Sequence, residues 1–275
     1  MQFNEQAGRQ WVSSNLRNFI PAKSKHYTTS ILSLRRATNC FGMQVDLPVV
    51  DGKVIHCEEG FSVLKTDRTK FAVIDPAQLS QPLIEGSMVR ITPYQRRHFD
   101  GRTFREPTTE DHGTFTVTVT KIGQDISKIP VQEPKSLYTT NMLDLLHRGK
   151  CTDGIRLISN MLVDFNARSV ELQEPELNKA NGCDPQFRFD CSTGKFVGHV
   201  IIGLNLGEDA YYIQLQKTHA EGIRETVTTC STVYFDQLAE VLETLLCDGA
   251  WKYSKVEVLK PAPKVKKPAA EVAAA

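Results

Sequence analysis

Phe196-Val197-Gly198-His199-Val200-Ile201-Ile202-Gly203-Leu204, followed after a short turn by Tyr211-Tyr212-Ile213-Gln214-Leu215, is the passage on which the fold reading turns. Phe196, Val200, Ile202 and Leu204 fall on one face, and Tyr211, Ile213 and Leu215 repeat the pattern. A period of two is the signature of a strand with one buried side. Leu206-Gly207 and Glu208-Asp209 supply the turn between the two strands. A third strand is expected over Thr226–Cys230. Beyond it, Phe235, Leu238, Ala239, Leu242, Leu245 and Leu246 switch to helical spacing, with Thr232 as the expected cap, Asp236 in the first turn and Asp248-Gly249 as the stop. Trp251–Leu259 reads as a last strand.

Working upstream, Thr140–His147 reads as a short helix. Asp153–Phe165 places Ile155, Ile158, Leu162 and Phe165 on one helical face, and residues 173–186 read as a loop. The order predicts an α+β domain over 139–259, an antiparallel sheet with helices on one face. Residues 123–138 hold two prolines and many polar groups and read as a linker.

Residues 41–122 have a different texture. Val49-Val50-Asp51-Gly52-Lys53-Val54-Ile55 reads as a hairpin, since Asp-Gly suits a type I′ turn. Phe61–Lys65 and Phe71–Ile74 flank the polar Thr66-Asp67-Arg68-Thr69 as a second hairpin. Met88–Thr92 and Thr114–Lys121 add strands. Several short strands in this span predict a small antiparallel barrel or rolled sheet of the SH3 or OB type. Residues 1–40 read as a basic helical segment. Asn4 caps a helix with Val12, Leu16, Phe19 and Ile20 on its apolar stripe, Pro21 stops it, and Ser30 caps a second short helix ending near Arg35-Arg36. Residues 260–275, rich in Pro, Ala and Lys, lack core-forming side chains and read as a disordered tail.

The overall charge of +1 hides an uneven distribution. Residues 1–40 carry +5, residues 135–258 carry −5, and residues 259–275 carry +3. Seven cysteines without a CxxC pair fit free thiols, not a disulfide framework or a zinc ribbon. No apolar run approaches the ~20 residues that cross a bilayer. The N-terminus lacks the basic and apolar regions of a signal peptide. The expected location is therefore the cytosol or a nucleus. No phosphate loop, dinucleotide fingerprint, G-x-S-x-G elbow or H-E-x-x-H motif is present, so no cofactor or metal is expected.

The strongest functional feature is Arg90–Arg105. It holds Arg90, Arg96, Arg97, Arg102 and Arg105 against one acid, Asp100, with Tyr94, Phe99 and Phe104 interleaved. Guanidinium groups fork onto phosphates and aromatic faces stack on bases, so this composition points to DNA or RNA. The competing structural reading makes Asp100-Gly101 an ordinary turn, packs the aromatics against the hairpin, and leaves the arginines solvated or docked on the acidic C-terminal domain. A second functional class is a protein-interaction module. In it the acidic C-terminal domain engages a basic partner, or its sheet edge accepts a strand. The third is a thiol enzyme at Cys230, with His199 or His219 as base. Glu110-Asp111-His112, and Cys183 and Cys191 beside Asp184 and Asp190, lack a recognised metal-ligand spacing.

Overall fold

A computed structural model describes residues 3–24, 26–33, 45–119, 126–176, 183–219 and 222–263. The chain forms two compact units, each assembled from separate stretches. The first comprises Met1–Ala37, Leu47–Tyr94 and Lys252–Ala275, and the second Thr38–Asp46 and Gln95–Trp251.

The first unit opens with helix α1 (Glu5–Asn15), capped as expected: the Asn4 side chain accepts the Ala7 N–H at 2.9 Å. Its strands are β1 (Thr28–Leu32), β2 (Val50–Glu58), β3 (Phe61–Asp67), β4 (Lys70–Ile74) and β5 (Met88–Thr92), joined by the distant β13 (Lys255–Lys260). They form one sheet in the order β1-β4-β3-β2-β5-β13, with β1 parallel to β4 and all other pairs antiparallel. Alternation decides the packing. Phe61, Val63, Phe71 and Val73 face α1 and bury its Val12, with Leu16, Phe19 and Ile20 packed around them. Leu64, Ala72 and Ile74 are buried on the opposite face. The helix comes close because Gly8 has no side chain: a Cβ there would lie 2.4 Å from Val73 Cγ1.

This sheet is open, with β1 and β13 as its edges, and does not close into the expected SH3- or OB-type barrel. Three further expectations are corrected. Ser30 does not start a helix but sits in β1, because register with β4 buries Leu32 beside Ile74. Asp51-Gly52 is no turn: β2 runs straight through it, and Gly52 stands opposite Val89. The glycine is needed for closeness, since a Cβ would lie 2.8 Å from the Lys65 carbonyl oxygen. The chain reverses later, at Glu59-Gly60, where Gly60 takes a φ of 93°. The last strand pairs with β5, so it belongs to the first sheet.

The second unit carries a two-stranded ribbon, β6 (Thr108–Asp111) with β7 (Thr116–Val119), then helices α2 (Leu137–Arg148) and α3 (Ile158–Asp164). Strands β8 (Arg168–Gln173), β9 (Gln186–Ser192), β10 (Val197–Asn205), β11 (Ala210–Thr218) and β12 (Arg224–Val233) follow, then helix α4 (Leu238–Leu246). The strands form an antiparallel meander in chain order. The predicted α+β architecture is present. Phe187, Phe189, Val200, Ile202, Ile213 and Leu215 meet Met142, Leu146, Met161, Leu162, Leu238 and Leu242 in one core. On the other face Gln186 donates to the Tyr212 hydroxyl at 2.7 Å. The Tyr212 ring crosses β10 over Gly203, where a Cβ would lie 2.1 Å from the ring.

Several boundaries differ from expectation. Thr232 does not cap α4 but lies near the end of β12 at a φ of 58°, and α4 begins at Leu238. Residues 153–157 are a turn, not helix. Residues 126–131, expected as linker, pack into the second unit, where Ser127 and Ile129 are buried. The segment following Ser33 and the tail from residue 264 lie outside the described residues.

That turn positions Arg156, whose side chain is fully buried. Its guanidinium meets Asp153 at 2.8 Å, Asp164 at 3.2 Å and Glu243 at 2.9 Å, and lies 3.9 Å over the Trp251 ring. Removing one partner of a buried ion pair costs about 3–5 kcal/mol, because a buried charge is left uncompensated. Arg156→Met should therefore lower unfolding free energy by at least about 3 kcal/mol in urea denaturation. A change below about 1 kcal/mol would show that the carboxylates are solvated without it.

Candidate nucleic-acid interface

The arginine and aromatic segment divides between the two units. Arg90 and Tyr94 lie in the first. Arg90 stands opposite Asp51 in the β2–β5 register and forks onto both its carboxylate oxygens at 2.8 and 2.7 Å. That hydrogen-bonded cation holds the Asp51 carboxyl below the usual range.

Gln95–Arg105 forms an irregular hairpin in the second unit. Arg97 bridges Thr103, the His98 N–H donates to the Arg102 carbonyl at 2.8 Å, and the Phe104 N–H donates to the Arg96 carbonyl at 3.1 Å. Gly101 makes the turn at a φ of 90°. Two anchors fix this hairpin. The Ser127 hydroxyl donates to the Arg97 carbonyl at 2.6 Å and accepts from Asn160 at 3.0 Å. Arg96, 1% exposed, pairs with Asp46 at 2.9 Å and lies 5.1 Å from the Phe104 ring centre. Arg105 donates to the Asp46 backbone carbonyl at 2.6 Å. Phe99 is half-buried against the core of the unit.

Of the eight residues the sequence singles out, Arg96 and Phe104 are therefore committed to internal contacts, Arg90 is held in an exposed ion pair with Asp51, and Arg105 is tied to the Asp46 carbonyl. Arg97 and Arg102 are exposed. Arg102 bonds Asp100 through Nε at 2.8 Å and a terminal nitrogen at 2.7 Å, and those hydrogen bonds hold the Asp100 carboxyl below its ordinary value. At the hairpin tip His98, Phe99, Asp100 and Arg102 line a shallow groove with Lys128 and Pro130. Sequence reasoning misses Lys128, which sits in the stretch expected as a linker. Its signal is Ile126, Ile129 and Val131, apolar residues spaced through a polar run.

The groove wall depends on a histidine. Ile129 donates its N–H to His147 Nε2 at 3.0 Å. Only a neutral ring can accept there. Burial lowers the His147 pKa, with Lys128 and Arg148 adding to the effect against Asp144.

The thiol constellation is not assembled. Cys230 is half-buried on β12. His199 pairs with Asp190 at 2.9 Å and His219 with Glu225 at 2.8 Å. Among the described residues no hydrogen bond joins either ring to Cys230. Burial pushes the thiol of Cys191 up to about 11 and that of Cys151 up to about 12, far from a nucleophile at neutral pH. Cys183 donates to the Glu174 carbonyl. Among the described residues no three His, Cys, Asp or Glu side chains group as a metal site, and no helix is long and apolar enough to cross a membrane. Comparison with family models, curated proteins and solved structures finds no match for this chain.

Two outcomes are expected. Arg96→Ala should cost about 3 kcal/mol by leaving Asp46 buried without its cation, while Arg97→Ala should stay within about 0.5 kcal/mol; urea unfolding of both variants separates them. His147 has a lowered folded pKa, so its contribution is present above the unfolded value of about 6.5 and is lost as pH falls through the folded one. Between about pH 7 and pH 5 the unfolding midpoint should therefore drop, and His147→Gln should flatten that drop. An equal slope in the variant would remove His147 from the account.

Proposed function

We propose that the chain binds single-stranded nucleic acid, DNA or RNA, at the tip of the Gln95–Arg105 hairpin, in a role that is binding and not catalysis. One observation carries the reading: the tip places half-buried His98 and Phe99 in the same groove as the cations of Arg102 and Lys128. Arg97 is exposed on the same hairpin. Rings of this kind stack on bases of any sequence, and exposed cations track phosphates. Asp100 neutralises part of the Arg102 charge, so electrostatic attraction rests mainly on Lys128 and Arg97. Arg102 still offers a phosphate the guanidinium edge turned away from Asp100.

The reading leaves Arg96 and Phe104 out of the interface, because their contacts are internal, and Arg90, because it belongs to the first unit and is paired with Asp51. It makes the surface smaller and less charged than the sequence suggests, which predicts modest affinity and a salt slope limited to the few phosphates that Arg97, Arg102 and Lys128 can neutralise.

Fluorescence anisotropy of labelled oligonucleotides at several salt concentrations tests it. The logarithm of the binding constant should fall with the logarithm of salt concentration. A triple Arg97→Ala, Arg102→Ala, Lys128→Ala variant should reduce that slope by about 0.7 for each phosphate it no longer neutralises. Arg90→Ala should leave it unchanged. Absence of binding to any oligonucleotide, or a triple variant with the parental slope, would refute the assignment.

A further inference from the structure

The second sheet ends on β12, ten residues long. One side of the strand pairs with β11. Among the described residues no strand pairs with its other side. A free edge is a template for another chain, and proteins blunt such edges with lysine, proline, shortness or bulges. Two other outer strands show these devices. Strand β13 has Lys255 and Lys260 at its ends and Pro261 after it, while β8 is short, with a register shift and Ser169 at a φ of 50°. Strand β12 has neither lysine nor proline, and its two register shifts against β11 lie on either side of a regular central run, Thr228–Cys230. Its only charges, Arg224 and Glu225, sit at its start. From Thr226 to Val233 it is uncharged and rich in β-branched residues, which suit a pleated surface. Large apolar side chains stand exposed beside it: Val227 on the strand, Ile223 at 60% before it, and Tyr234 and Phe235, the latter at 69%, after it.

We propose that β12 pairs antiparallel with β12 of a second copy of this chain. The placement of the exposed groups selects this occupant. Pairing centred on Thr229, which then faces its own copy across the two-fold axis, sets Ile223 against Phe235 of the second copy, and the two-fold repeats that contact at the other end. Tyr234 stands next to each such pair. The same register places Thr228 against Cys230 and Arg224 against Tyr234, so no like charges face each other. The left-handed Thr232 bends the strand end, and the ladder is carried by Thr228–Cys230, where the pairing with β11 is regular. This surface is separate from the hairpin groove, and self-pairing does not depend on nucleic-acid binding.

Sedimentation velocity of the full chain over a range of concentrations tests the pairing. The parent should form a dimer that dissociates on dilution. Thr229 is exposed, so Thr229→Lys should keep the unfolding midpoint while setting two ammonium groups beside the two-fold axis. Like charges opposed across strands destabilise the pair, and the dimer should weaken by about tenfold. Thr229→Glu should do the same, and an equal mixture of the two variants should recover association. A parent that stays monomeric throughout, or a dimer indifferent to both substitutions, would overturn the proposal.

Discussion

Arg156 is the interaction on which the second unit depends. One guanidinium, removed from water, answers three carboxylates from three places: Asp153 in the turn before α3, Asp164 at the end of α3, and Glu243 in α4. An arginine can do this because its donors point in fixed, planar directions and it stays charged in any environment a protein offers. The Trp251 ring covers the guanidinium face that hydrogen bonding leaves unused. Helix packing on the sheet would hold the same elements through apolar contact, but apolar contact is non-directional. The ion cluster fixes which turn of α4 meets which end of α3.

The same logic, on a smaller scale, governs the hairpin. Its charge is conspicuous in the sequence, and its purpose is hidden there. Arg96 is matched by Asp46, Arg90 by Asp51, and Arg102 by Asp100. Only the last partner is a near neighbour along the chain. The sequence therefore displays the cations clearly and conceals the anions that occupy them. Lys128 shows the converse: an unremarkable lysine in a Pro-containing stretch reaches the groove because Ser127 and Ile129 on either side are buried.

What is legible follows from range. Helix α1 and its Asn4 cap, the β3–β4 hairpin, and the β10–β11 pair are set by neighbours a few residues apart, and period and turn chemistry show them directly. Strand β1 reads as helix because Ser30-Ile31-Leu32 suits either state locally, and only parallel pairing with β4 decides it. Gly52 carries the chemistry of a turn, but the same lack of a side chain also serves close approach between strands. Strands β8 and β9 escape a local reading because β9 alternates Phe187, Phe189 and Cys191 with polar residues across only seven positions, beside a long polar run. The destination of β13 is a contact across most of the chain, and no local pattern encodes it.

That last contact orders the birth of the protein. The second unit, apart from Thr38–Asp46, is drawn from one continuous stretch ending at Trp251. The first sheet, though it starts with the earliest residues, lacks its sixth strand until Lys255–Lys260 leaves the ribosome. During synthesis β5 therefore waits with an unpaired side while the residues of the later unit are made. The unit that begins first is the one completed last, and a nascent chain stalled before residue 255 would carry an open strand edge that the finished protein closes.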